Sequence, residues 1–382
     1  MKILYHHRVA SKDGQNVHID EIVNALRGLG HEVLVVAPAS SSEQEFGSST
    51  GWVDRLKANL PKAIYEMLEM GYSVLAYARL KKAIMAFRPD AIYERYNLFL
   101  FSGMWAKKRF DLPFLLEINA PIAEERAKYD GIAMPGVARW AQHHVWRNAD
   151  YALPVTHVLA RTVQEAGVPN EKIVVIPNGI NEDHFRHAPD TEKAKSRLDL
   201  EGRLVLGFTG FVRSWHGLDR VINWMSRQER RDLHLLVVGD GPAREELENL
   251  SKNLGINDQV TFTGIVQRED IPDLVAAFDV ALQPAVVDYA SPLKLFEYLA
   301  MGRSIIAPRM ENLLEVLEDG KNAMMFDPSD SEGMENALTL VCSDPELRSR
   351  LGQAAKQTIT EKGFTWRANA ARIVELFEKL KQ

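Results

Sequence analysis

Short apolar runs alternate with helix-period segments along the whole chain. In the first half the runs are 2–6 (KILYH), 32–37 (EVLVVA), 91–96 (AIYERY), 113–118 (PFLLEI), 151–155 (YALPV) and 173–177 (IVVIP). In the second half they are 204–209, 234–239, 260–263, 280–284, 304–307 and 323–326. Their Val, Ile and Leu residues run on without strict alternation, which predicts strands buried on both faces. The segments 17–29, 157–166, 242–254 and 292–301 carry the helical period between them. Repeated βα units predict an α/β fold with two doubly wound parallel sheets. A closed (β/α)8 barrel is the alternative, but twelve candidate strands are too many for it.

The turn Ile176-Pro177-Asn178-Gly179-Ile180 and the charged stretch after it separate the two sets of strands. The expected domains are 1–181 and 182–362, with a helix at 363–382 crossing back onto the first. Open α/β domains bind ligands at the carboxyl ends of their strands, so two of them are expected to face one interdomain cleft. Region 41–88 breaks the rhythm. It begins Ser-rich and then reads as a helix with Tyr65, Leu68, Met70, Tyr72, Val74 and Leu75 among scattered bases. Two readings are open for it: packing on its own domain, or contact with a membrane or hydrophobic acceptor.

Composition narrows the class. With 382 residues, 46% apolar and 26% charged, the chain suits two soluble domains. A net charge of −6 argues against a dedicated nucleic-acid binder. Residues 1–185 carry 21 basic and 21 acidic side chains, so the negative excess belongs to the second half. The single thiol, Cys342, excludes a disulfide framework and a Cys-rich metal site. The start Met1–Tyr5 runs into His6 and His7, too short and polar for a signal peptide, and no apolar run approaches the roughly 20 residues of a membrane span. A cytoplasmic protein is expected, working at the inner face of a membrane.

Three stretches carry chemistry. Ser291-Pro292-Leu293-Lys294-Leu295-Phe296-Glu297 reads as a helix start, with Ser291 as N-cap and Pro292 in the first turn. A helix N-terminus at a strand's carboxyl end is an anion site. Lys294 adds a cation there, and Glu297 can grip sugar hydroxyls; an ordinary amphipathic helix is the alternative. Gly207–Gly217 follows the first strand of the second domain, where Arg213 offers a forked phosphate donor and His216 a second donor, cationic only at low pH. Gly14 and Gln15 hold the same topological place in the first domain, with too few glycines for a dinucleotide loop. No G-x-G-x-x-G opens a helix after either first strand. There is likewise no phosphate-loop lysine motif, no G-x-S-x-G elbow, no H-E-x-x-H and no Asp-x-Asp pair. Hydride transfer and carboxylate-held metal chemistry are therefore disfavoured.

Taken in order, these stretches resemble the retaining GT-B glycosyltransferases of family 4, also described as group 1. The resemblance runs through EIVNALRGLGHEVLVV after Gly14, IPNGI at 176–180, VGDGPAREELE at 238–248, VTFTGIV at 260–266, EDGKNAMMFDPSD at 318–330 and FTW at 364–366. It implies a nucleotide-sugar donor, UDP- or GDP-linked, on the second domain. Glu297 matches the second Glu of the family's E-x7-E motif and is expected on the ribose. Amides near Pro292 and Leu293 would hold the diphosphate, and Gly264, Ile265 and Val266 would line the base. The first Glu of that motif falls on Tyr289, the loop Lys becomes His216, and an Arg after the glycine becomes Phe211. Arg213 and Lys294 are expected to restore the charge. The second glycine of the first-domain loop becomes Gln15, and Asn119 stands near a His found after the fourth strand.

His18, Glu94, Arg95, Asn119 and Glu124 lie in strand-to-helix loops of the first domain and are the expected acceptor side. The resemblance implies retention by front-face attack, without a metal or cofactor, in bacterial-type polysaccharide assembly. The acceptor would be a saccharide or lipid-linked saccharide, with peripheral membrane contact through the first domain and no nucleic acid. A sugar-nucleotide epimerase on the same fold and a non-catalytic relative remain the alternatives.

Overall fold

A computed structural model describes residues 1–9, 14–38 and 60–381. The chain divides into two compact units. The first comprises Met1–Pro177, Tyr289–Ser291 and Trp366–Gln382; the second comprises Asn178–Asp288 and Pro292–Thr365. No helix among the described residues is long and apolar enough to cross a membrane.

The first unit runs β1 (Lys2–His6), α1 (Gly14–Gly28), β2 (Glu32–Val36), α2 (Lys62–Phe87), β3 (Ala91–Arg95), α3 (Ser102–Phe110), β4 (Phe114–Ile118), α4 (Ile122–Tyr129), α5 (Pro135–Asn148), β5 (Tyr151–Pro154) and α6 (His157–Glu165). Among the described residues its five strands are parallel in the order β2-β1-β3-β4-β5. Every residue of β3 and β4 is buried, as expected of strands covered on both faces. Leu4, Ile92, Leu116, Trp146 and Val163 belong to one core cluster.

The expected strand at 173–177 does not form. It makes one isolated bridge, Ile173 to Ala152, and its Val174 and Ile176 amides donate to the carbonyls of Ala152 and Pro154, each at 3.0 Å. Pro154 has no N–H with which to return a bond, so the ladder stops there. The Ser-rich opening of region 41–88, through residue 59, lies outside the described residues; its remainder is the continuous helix α2.

The second unit runs β6 (Leu204–Thr209), α7 (Leu218–Ser226), β7 (Leu233–Val238), α8 (Arg244–Asn253), β8 (Val260–Phe262), α9 (Ile271–Ala276), β9 (Val280–Leu282), α10 (Leu293–Ala300), β10 (Ser304–Pro308), β11 (Met324–Phe326), α11 (Gly333–Ser343) and α12 (Pro345–Lys362). The six strands are parallel in the order β11-β10-β9-β6-β7-β8. Strand residues alternate between two core layers. Leu233, Leu235 and Val237 of β7 enter one layer; Leu236 and Val238 enter the other with Phe278, Phe296 and Leu299. Full burial of each large side chain contributes about 2–3 kcal/mol. The final helix, α13 (Trp366–Lys379), packs on α1 in the first unit.

Strand order locates the functional ends. In an open α/β sheet, ligands bind at the carboxyl ends where the strand order reverses. In the second unit that point lies between β6 and β9, and in the first between β1 and β3.

Candidate functional site

At the switch point of the second unit, the loop after β6 faces the start of α10. Thr209 ends β6, and its backbone N–H donates to the Tyr298 hydroxyl of α10 at 2.9 Å. Gly210 follows at φ 126°, a conformation that favours glycine. A Cβ at Gly210 would lie 3.2 Å from Lys294 Nζ, so the ammonium of α10 lies against this loop. Lys294 Nζ also sits 3.7 Å above the Phe208 ring centroid. Dense surroundings desolvate the ammonium and lower its pKa to about 7, while the Glu297 carboxylate acts in the other direction.

The same loop carries Arg213 and His216. Arg213 is exposed, its guanidinium 5.1 Å from the Phe211 ring centroid. Its backbone N–H donates to His216 Nδ1 at 3.1 Å, which places the imidazole proton on Nε2. His216 is buried against Phe208 and Trp215. Burial, then the charges of Lys294 and Arg213, lower its pKa to about 3. His216 is thus a neutral donor at physiological pH, and the cationic part falls to Arg213 and Lys294.

The helix start differs from expectation. Pro292 occupies the N-cap without a side-chain cap bond of its own, and α10 begins at Leu293. Ser291 lies one residue outside that position and groups with the first unit. Tyr289 groups there too, its carbonyl accepting from Thr156 Oγ1 at 2.9 Å. Glu297 is half-buried, one turn into α10. The helix terminates with Gly302 at φ 61°, as the sequence suggests.

The loop after β7 closes under the β6 loop. Val212 N–H donates to Asp240 O at 2.9 Å, and a Cβ at Gly241 would meet Val212 O at 2.2 Å. Gly241 therefore serves close backbone approach; the helix after it begins at Arg244, two residues past Pro242. Farther along the sheet edge, Gly264 takes φ 71°, Ile265 is exposed and Val266 is half-buried.

In the first unit the expected acceptor residues separate into three places. Glu117 of β4 gathers the first set. Its Oε2 meets His18 Nε2 at 3.1 Å and accepts from Tyr93 OH at 3.1 Å and Tyr5 OH at 3.3 Å. Its Oε1 accepts from Asn119 Nδ2 at 2.5 Å and from Arg95. Burial pushes this carboxyl up, but His18, Arg95 and the hydrogen bonds from His18 and Asn119 outweigh it and hold it well below the usual range. His18 and Arg95 are buried in this network, whereas Asn119 is half-buried at the end of β4. Because an ionised carboxylate can only accept, Asn119 must turn its amide nitrogen inward and its Oδ1 away.

Glu94 sits apart. It is fully buried in β3, with His6 Nδ1 2.5 Å from its Oε2. It is a core carboxylate, and it and Arg95 are both residues of β3, contrary to the expected loop positions. Glu124 forms the third place, on α4. Its Oε2 accepts from Gln142 Nε2 at 2.6 Å, and it lines a pocket of about 350 Å3 with Ala123, Ala127, Lys128, Pro135 and Arg139. Gly14 and Gln15 are not loop residues either: they form the first turn of α1. His18 follows on the same helix, its ring edge against Trp366 of α13 at 4.8 Å.

Comparison with known proteins resolves what this pair of sheets belongs to. The model described as Glycosyl transferases group 1 matches residues 190–358, and that described as Glycosyltransferase Family 4 matches 12–184. The chain belongs to the group 1, family 4 glycosyltransferases. An alpha-D-kanosaminyltransferase of Streptomyces kanamyceticus is 27% identical over 226 residues, 57% of this chain and 58% of that protein. A D-inositol 3-phosphate glycosyltransferase of Streptomyces scabiei is 24% identical over 400 residues, 95% of this chain and 86% of that one. The chain spans 58–66% of the length of the first curated relatives it matches. Among solved structures, Anabaena Alr3699/HepE in complex with UDP aligns with a TM-score of 0.79 at 18% identity, covering 99% of this chain and all of that one. The fold is therefore GT-B.

Two residues of this family 4 chain escape a sequence reading. Tyr298 looks like a core aromatic of α10, yet its hydroxyl ties the helix to the end of β6. Glu117 is visible only as a lone acid in an apolar run, the one signal that could have flagged it.

Proposed function

We propose that the protein is a retaining, metal-independent glycosyltransferase. It moves a hexose-type sugar from a UDP- or GDP-sugar to a saccharide or lipid-linked acceptor in cell-surface polysaccharide assembly. The observation that carries this reading is the convergence at the β6/β9 switch point. The N-terminus of α10, the Lys294 ammonium and the Arg213 loop meet there, a set suited to a diphosphate. That the Anabaena neighbour is described in complex with UDP supports a uridine nucleotide first.

On this reading the first-turn amides of α10 and the two cations hold the diphosphate, and Glu297 takes the ribose hydroxyls. The exposed Ile265 offers an apolar face to the base. The bond from the anomeric carbon to the β-phosphate oxygen breaks, and negative charge grows on that oxygen. Arg213, Lys294 and the helix amides stabilise it, each worth a few kcal/mol in such sites. The acceptor hydroxyl attacks the anomeric carbon from the face the phosphate leaves, and its proton passes to the departing phosphate oxygen. Asn119, its amide fixed by Glu117, presents Oδ1 as the acceptor-side hydrogen-bond acceptor.

Titration calorimetry with UDP, GDP and ADP tests the donor half. UDP binding that weakens in Glu297→Ala and Lys294→Met is expected. Absence of binding by any of the three nucleotides, with both variants indistinguishable from wild type, would abandon the reading.

A further inference from the structure

The helix α2 has two apolar sides: Ala76, Leu80 and Ile84 are buried against its own unit, and a second apolar stripe faces outward. At 100° per residue, Ile64, Met67, Leu68, Val74, Leu75 and Met85 fall within an arc of about 120°. Each of them is 46–63% exposed. The opposite side holds polar groups beside the buried Ala76, Leu80 and Ile84. Glu66 is buried, accepting from the backbone N–H groups of Ala133 at 2.6 Å and Met134 at 2.9 Å. Glu69 accepts from Arg126 at 2.9 Å and Arg8 at 3.4 Å, and Ser73 donates to the Phe99 carbonyl at 2.5 Å. A helix that only covers its own domain turns its apolar stripe inward. Here both carboxylates of the helix turn inward, and a second apolar stripe is left outside.

The charges that remain outside are positive. Arg79, Lys81 and Lys82 are exposed, and Glu66 and Glu69 are the only acids between Lys62 and Phe87. On the helical wheel Arg79 and Lys81 flank the apolar arc, and Lys82 lies within it, where a long side chain can snorkel. We infer that α2 docks the first unit on an anionic lipid bilayer. Its apolar arc enters the headgroup–acyl boundary while Arg79, Lys81 and Lys82 meet lipid phosphates. Charge selects this occupant. A second copy seated on the same face would oppose these cations with its own, which disfavours a symmetric dimer. The inference goes beyond glycosyl transfer and is measured without donor, so its failure is separate from failure of that reading.

The test is co-sedimentation with vesicles of phosphatidylcholine, alone or containing about a quarter phosphatidylglycerol. Wild type is expected to partition about 10-fold or more better onto the anionic vesicles, and to be released by salt. Leu68→Gln/Leu75→Gln should lose about 10-fold or more of that partitioning. Lys81→Gln/Lys82→Gln should lose only the preference for phosphatidylglycerol. Matching melting curves certify the variants; if the first pair melts early, Val74→Ser probes the same stripe. Wild type staying in the supernatant with anionic vesicles overturns the inference. So does sedimentation unchanged by the apolar variants, or a solution dimer that they dissociate with no vesicle binding by wild type.

Discussion

With a pKa of about 7, the Lys294 ammonium titrates within the working range of most proteins. A bound diphosphate would raise it, so binding takes up a proton above pH 7 and none well below it. The proposed donor affinity should therefore be flat in acid and fall as pH rises past about 7, by up to tenfold per unit. Calorimetric UDP constants across pH 6 to 9 check this, and Lys294→Met should flatten the curve while weakening binding about 10- to 100-fold. Neutral His216 should matter less: His216→Asn should change UDP affinity by under about tenfold. At Glu117 the sign of failure differs. Glu117→Gln leaves Arg95 buried beside an uncharged amide, a loss of about 3–5 kcal/mol that a melting curve would show while UDP binding survives. The placement of Arg213, Lys294 and Glu297 near the β6/β9 switch point was legible because each stands in a short, ordered stretch. Glu117 was not, because all its partners but Asn119 come from 22 to 112 residues away.

At the scale of elements, the twelve expected strands yield eleven. Buried βα units announce themselves by apolar runs, and the failure at 173–177 turns on the missing N–H of Pro154. The helix starts were read less well. Glycine and glutamine at 14 and 15 read as loop, yet α1 begins there, and α10 starts one residue after Pro292 instead of at it. The tight seam between the loops after β6 and β7 was invisible, because nothing in Gly239-Asp240-Gly241 names the backbone it presses on. That seam gives a prediction. Gly241→Ala places a methyl 2.2 Å from Val212 O, with no flexible atom to give way. It should destabilise the second unit by about 2–4 kcal/mol and weaken UDP binding through the displaced Arg213 loop, both readable in one thermal-shift titration.

For the molecule as a whole, stability should fall on acidification. His7 and His216 are lowered by burial to about 4 and about 3, so below pH 6.5 the unfolded chain binds protons that the folded chain refuses. Each such group removes about 1.4 kcal/mol per pH unit until its folded pKa is reached. Glu117, held low in the fold, adds a loss in the same direction below the ordinary carboxylate range. Melting temperatures from pH 7 down to 4.5 check the slope. The division of the chain predicts that a fragment spanning 178–365 folds alone and keeps UDP affinity within about threefold.

Helix α13 belongs to the first unit but is encoded after the second. A ribosome adding about 5–20 residues per second needs roughly 10–40 s to pass from Pro177 to Trp366. Throughout that interval the nascent first unit has strands β1 to β5 and an α1 whose His18 lacks the Trp366 edge it packs on. Translation therefore finishes the second unit first and leaves an apolar helix face waiting beside the exit tunnel. Pausing codons between 178 and 365 should lengthen that wait and raise the share of chain captured by trigger-type chaperones.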